Sequence, residues 1–290
     1  MRLHVLHRTA YVYGSPVRES FNEVRLHPAS LNGQVCEHFL LKVLPATRLT
    51  HFRDFYLNYV HLFEITESHT HLSVEATSVV TTGNDHLLSD DQRTTPLADM
   101  ERCTRIDQCY DFMQASHYVD ISPETWRIGL DIATGEGLTD AWQIARAVMR
   151  YIHGNFVYMP AATNSHTHMH EVLKSRCGVC QDFAHVMLGI CRALKIPARY
   201  VSGYIFNGPA DQLRGAQASH AWVEVYLPDF GWRGLDPTNN AQPDERYVKL
   251  AVGRDFADVS PVKGTYRGTG EHKLVVEVVV SDLNQFSGMI

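Results

Sequence analysis

Ser219-His220-Ala221-Trp222-Val223-Glu224-Val225-Tyr226-Leu227-Pro228-Asp229-Phe230-Gly231-Trp232-Arg233-Gly234-Leu235-Asp236-Pro237-Thr238 is the stretch on which the reading of this chain turns. Ala221, Val223, Val225 and Leu227 face one way and His220, Trp222, Glu224 and Tyr226 the other, the period of two that a strand imposes. Pro228 to Gly231 is a turn signal, and a second strand is expected over 232–236. Counted back from that turn as an antiparallel hairpin, Asp236 falls within about three residues of the position opposite His220, and diagonal cross-strand neighbours are only about 7–8 Å apart. A carboxylate and an imidazole can meet across that distance.

Upstream lies Ser175-Arg176-Cys177-Gly178-Val179-Cys180-Gln181-Asp182-Phe183-Ala184. A helix is expected over 180–194, with Phe183, Met187, Ile190 and Leu194 at helical spacing and Pro197 preventing extension. Gly178 is expected to allow a tight turn that sets Cys180 in the first helical turn. There the free N–H groups favour a thiolate, as would a nearby imidazolium. Asp182 is expected to help cap the helix, although its charge opposes a thiolate if it lies close. A lone cysteine is as readily a small core residue. A Cys followed by a His and an Asp that one hairpin brings together supplies the nucleophile, base and orienter of cysteine acyl transfer.

The chain has 290 residues, room for two domains at about 150 residues each. Its 44% hydrophobic and 20% charged residues fit a folded globular protein. With 26 Lys and Arg against 32 Asp and Glu the net charge is −6, so nucleic acid has no electrostatic support as a partner. Cys36, Cys103, Cys109, Cys177, Cys180 and Cys191 are too sparse and irregular for a disulfide scaffold. Basic and polar residues interrupt the first eleven positions, leaving no signal-peptide core, and no stretch reaches the roughly 20 apolar residues that span a bilayer. A soluble cytoplasmic protein with reduced thiols and no membrane partner is expected.

Strands are expected over 4–13, 37–45, 58–66 and 72–81, with turn signals at Gly14-Ser15-Pro16, 28–33 and Glu67-Ser68. They make residues 1–90 an N-terminal antiparallel β domain, with the polar segment 83–96 (Asp85, Asp90 and Asp91 within it) as linker. Residues 91–290 then read as an α+β domain. Ser122-Pro123-Glu124 and Thr139-Asp140 open helices, the second with Ala141, Ile144, Ala145, Val148 and Ile152 on one face and Gly154 closing it. Further strands are expected over 199–206, 221–227, 232–236 and 273–281.

The motifs GVCQDFAH at 178–185, RALKIPARYVSGY at 192–204 and SHAWVEVYLPDFGWRGLDPT at 219–238 together resemble the transglutaminase-like superfamily, in particular its bacterial cysteine-protease-like members. The strand-rich N-terminus resembles the β domain preceding their core, and GRDFADVSP at 253–261 a stretch that follows it. The resemblance implies a papain-like/transglutaminase-like α+β fold, with Cys180 as nucleophile, His220 as general base and acid, and Asp236 as orienter. It implies a thioester intermediate on a peptide or protein amide, resolved by water (protease or amidase) or by an amine (transglutaminase). No cofactor or metal is required. The backbone N–H of Cys180 is the default oxyanion donor, with Tyr158 and Asn155 as candidates for a second. The Gly/Pro-rich loop 207–219 is expected to wall the cleft.

Two other readings compete. Cys177-Gly178-Val179-Cys180 is a C-x-x-C, and His166, His168 and His170 lie just upstream, so a Cys/His zinc module, a redox module or a Cys177–Cys180 disulfide that silences the enzyme is an alternative. A catalytically degenerate binding domain on the same fold is the other. Nothing in the sequence sets an oligomeric state.

Overall fold

Alternating buried and exposed positions over Arg2–Val24 build one long strand, β1. Strands β2 (Gln34–Leu44), β3 (Thr50–Arg53), β4 (Tyr59–Ile65) and β5 (His69–Thr82) follow. Next come α1 (Asp107–Tyr110), α2 (Pro123–Gly135), α3 (Ala141–Asn155), β6 (Val157–Tyr158), α4 (Met169–Ser175), β7 (Cys177–Gly178) and α5 (Cys180–Ala193). The chain continues through β8 (Ala198–Ile205), β9 (His220–Leu227), β10 (Gly231–Leu235), β11 (Tyr247–Gly253), α6 (Phe256–Val259), β12 (Val262–Arg267) and β13 (His272–Asp282). This computed structural model describes residues 1–31, 33–84, 87–89, 92–160, 163, 166–208 and 219–285. The fold is α+β.

The N-terminal sheet is antiparallel and centred on β1, in the order β2-β5-β1-β4-β3. No turn forms at Gly14-Ser15-Pro16. The register against β5 slips between Val12 and Val17, and the Gly14 N–H bonds the Glu271 carbonyl at 2.9 Å. Pro16 thus sits in an irregularity where the ladder does not need the N–H it lacks. The strand expected over 273–281 is present as β13, but it pairs with β1 from Leu3↔Asp282 to Tyr13↔His272. Strand β12 pairs with the far half of β1, from Arg18↔Arg267 to Val24↔Val262. The end of the chain therefore returns to the first sheet.

The helix starts follow the sequence. Ser122 Oγ accepts the Thr125 N–H at 3.2 Å with Pro123 behind it, and the Asp140 carboxylate accepts from Trp142 and Gln143 N–H. Every residue of α5 except Gln181 is buried, so it is a central helix, apolar on more than the one face that its spacing suggests. It packs between α2, α3 and α4 and the second antiparallel sheet, β10-β9-β8-β11.

The N-terminal domain covers the free edge of β11. Gln34 exchanges both hydrogen bonds with the Lys249 backbone, each at 2.8 Å, and Asn58 does the same with Val252. A side-chain amide carries one donor and one acceptor group, so it substitutes for a strand neighbour. In segment 83–96, Asn84 bonds Glu245 and Leu88 bonds Gln242, while Asp85, Asp90 and Asp91 lie outside the described residues. Among the described residues no helix is long and apolar enough to cross a membrane.

Candidate active site

Cys180 is the first residue of α5 and only 8% exposed. Gly178 does not make the expected tight turn. It pairs with Tyr158 in the short parallel β6–β7 ladder, and a Cβ there would stand 2.6 Å from Asp182 Oδ2. The missing side chain makes room for that carboxylate, which accepts the Val179 N–H at 2.8 Å and the Thr163 hydroxyl at 2.6 Å. Burial raises the Asp182 pKa, and these two bonds offset only part of the effect. Asp182 thus fixes the chain just ahead of the thiol.

His220 opens β9, which is antiparallel to β10 with Leu235 opposite Val223. One step further sets Asp236 beside Trp222 and diagonal to His220, as the hairpin count requires. His220 Nε2 lies 2.8 Å from Asp236 Oδ2, and both side chains are fully buried. Burial alone would lower the His220 pKa. The charge of Asp236 outweighs burial and, with a further contribution from the Cys180 side, holds the ring above the usual histidine value. Nδ1, the other ring nitrogen, is buried without a formed hydrogen bond among the described residues. Such bonds often tighten only when substrate binds.

Asp236 is itself held. Oδ1 accepts the N–H groups of Thr238 (2.8 Å) and Asn239 (3.3 Å), and Oδ2 accepts Asn239 Nδ2 and the Tyr247 hydroxyl, both at 2.8 Å. Burial pushes its pKa up, but the His220 charge and these bonds leave it below the ordinary 3.8. Trp222 lies nearly parallel to the His220 ring at 6.2 Å and Tyr247 meets it edge-on at 6.1 Å. Gly203, opposite His220 on β8, has no Cβ because one would collide with the Trp222 ring.

Sequence reasoning missed Asn239 and Tyr247. Asn239 had a local signal, since an Asp followed closely by Pro and Asn marks a side-chain-capped turn. Tyr247 had none. Of the two oxyanion candidates, Asn155 is exposed and turned back onto its own helix, donating to the Tyr151 carbonyl at 2.8 Å. Tyr158 is half-buried beside Gly178. Most of the loop 207–219 falls outside the described residues. The Cys/His zinc grouping is not made: the cluster that forms among the described residues joins His168 and His170 to Asp120, without Cys177 or Cys180. The six cysteines are all free thiols.

This architecture has known relatives. The profile of the transglutaminase-like superfamily matches residues 131–237, and that of the bacterial transglutaminase-like N-terminal region matches residues 3–81. An uncharacterised protein of Mycobacterium leprae is 34% identical over 285 residues, spanning 97% of this chain and 99% of its own. A solved candidate cysteine protease from Cytophaga hutchinsonii superposes with a TM-score of 0.75 at 25% identity, over 98% of this chain and 91% of that one. A protein-glutamine gamma-glutamyltransferase from Pseudomonas aeruginosa is 33% identical over 138 residues, 43% of this chain and 20% of that protein. The chain belongs to the transglutaminase-like superfamily, and it carries the bacterial N-terminal domain of that family.

Proposed function

We propose that this protein is a thiol-dependent acyl-transfer enzyme acting on peptide or protein amides, with Cys180 as nucleophile, His220 as general base and acid, and Asp236 as orienter. The observation that carries the reading is the buried 2.8 Å His220–Asp236 pair together with a cysteine at a helix start that lies close enough to help hold the His220 ring charged. His220 takes the thiol proton, and the thiolate attacks the amide carbonyl. Donors in the first turn of α5, beginning with the Cys180 N–H, face the developing oxyanion. His220 then passes its proton to the leaving amine, and the thioester is resolved by water or by a second amine. The likeness to a candidate cysteine protease and to a glutamyltransferase supports both fates. The chemistry needs a free thiol, and a cytoplasmic location belongs to the proposal on that ground.

Iodoacetamide alkylation with peptide mapping tests it. Cys180 should react fastest of the six cysteines near pH 6, and His220→Ala should slow it by about two orders of magnitude, the gap between a thiolate and an ordinary thiol of pKa about 8.5. Equal rates in the two proteins would refute the ion pair.

A further inference from the structure

Asp120, His168 and His170 form a cluster that the acyl-transfer chemistry does not use. One nitrogen from each ring and one carboxylate oxygen all lie within 4.8 Å of one another. His168 Nε2, the nitrogen that faces Asp120, stands 3.7 Å from Asp120 Oδ2, while His168 Nδ1 accepts the His170 N–H as the N-cap of α4 and contacts His170 Nδ1 at 2.7 Å. We propose that these three side chains bind a divalent transition-metal ion, with zinc the best match.

The backbone beneath them is fixed. Met169, between the two histidines, is 1% exposed, and its Sδ accepts the Asp120 N–H at 3.1 Å. Its own N–H bonds the Tyr118 carbonyl at 3.3 Å. A Cβ at Gly189 of α5 would stand 2.5 Å from Met169 Cε, so the absence of a side chain there seats the methionine. Tyr118 stacks on His185 of α5 with ring centroids 5.3 Å apart, and its N–H is held by Asp255 at 2.9 Å. One methionine therefore ties the segment bearing Asp120 to the segment bearing both histidines.

The donor set selects the ion. Two imidazoles and a carboxylate suit zinc and its neighbours, with water in the fourth position, whereas calcium and magnesium take oxygen ligands. Ligand atoms about 2.0–2.1 Å from a tetrahedral zinc stand about 3.4 Å from each other. The His168–Asp120 distance is already near that, and Asp120 and His170 are exposed, with rotamers free to close the remainder. The ion would be exchangeable, and it would pin α4 two residues before the β7 segment that leads to Cys180. This proposal is independent of the triad.

The test removes the competing thiols. In a Cys177→Ala/Cys180→Ala background, zinc titration against a chromophoric chelator should give one ion per chain, and cobalt(II) bound in its place should show no thiolate charge-transfer band. In that background His170→Ala and Asp120→Asn should each weaken zinc binding by more than about tenfold. His168→Asn, which keeps a capping acceptor, should do the same. The metal-free melting temperature should be unchanged while the zinc-induced rise disappears. No zinc bound in the Cys177→Ala/Cys180→Ala background, or undiminished affinity in all three variants, overturns the proposal.

Discussion

His185 and His220 are both buried, at 0% and 1% exposure, yet the structure holds their pKa values in opposite directions. His185, on α5, is pushed below the ordinary value chiefly by burial, against a partial opposing pull from Asp255. Its Nε2 accepts the Phe256 N–H at 3.2 Å, as a neutral ring can. His220 is raised. The difference lies in what the neighbouring aspartates do. Asp255 gives one oxygen to the Tyr118 N–H and the other to the Ala257 N–H, so it serves the backbone. Asp236 turns Oδ2 to His220 and is kept ionised by the His220 charge and the donors around it. Burial makes a histidine neutral by default; a carboxylate that bonds the ring directly reverses that.

The comparison is broken most severely by Asp236→Asn. An amide keeps the shape but loses the charge and favours the wrong ring tautomer. On an amide substrate turnover should fall by about 10⁴-fold, and the alkylation of Cys180 near pH 6 should lose its advantage over the other cysteines. Retention of rapid alkylation would mean that His220 does not depend on Asp236.

Tyr247→Phe sharpens it at smaller cost. The variant removes one hydrogen bond to Asp236 Oδ2 and leaves the packing against Trp222. A loss of about 1 kcal/mol corresponds to about a fivefold slower alkylation near pH 6. The profile of rate against pH should shift with it, since Tyr247 helps to hold the same carboxylate oxygen that His220 bonds. A uniform loss of folded protein with an unshifted profile would make Tyr247 a packing residue only.

These two residues also show what the sequence reveals and where it stops. Asp236 was legible because Pro228 to Gly231 fixes the hairpin and a period of two then assigns every residue a partner and a face. Cys180 was legible because a glycine-preceded helix start and an apolar spacing are both local. Tyr247 was not, because β11 is separated from β10 by β8 and β9 in the sheet order, and no local pattern says that its hydroxyl reaches Asp236. The same limit hid the return of β12 and β13 to β1, the covering of β11 by Gln34 and Asn58, and the loss of the turn at Gly14-Ser15-Pro16. Turn residues report local preference, and here pairing with β13 up to Tyr13, continued by the Glu271 carbonyl at Gly14 some 250 residues away in sequence, overrides it.

The smallest effect on the chemistry separates the two histidines by stability. His185 has a folded pKa below its unfolded value near 6.5, so its contribution is present above pH 6.5 and is lost as pH falls. His7, pushed down to about 4 by burial, behaves alike, and its window runs from 6.5 to about 4. His220 has the reverse sign: its folded pKa is raised, so its contribution is present below 6.5 and is lost as pH rises through the folded value. Asp236, depressed from 3.8, contributes above that value and loses it as pH falls. Urea midpoints across pH should therefore decline on the acid side. His185→Gln should flatten the slope between about pH 6.5 and 4.5 by up to about 1.4 kcal/mol per unit while leaving the alkylation rate of Cys180 unchanged. His220→Gln should leave that acid slope in place and flatten the alkaline side instead. If His185→Gln leaves the acid slope as it was, His185 is already charged in the fold, and burial is not what distinguishes it from His220.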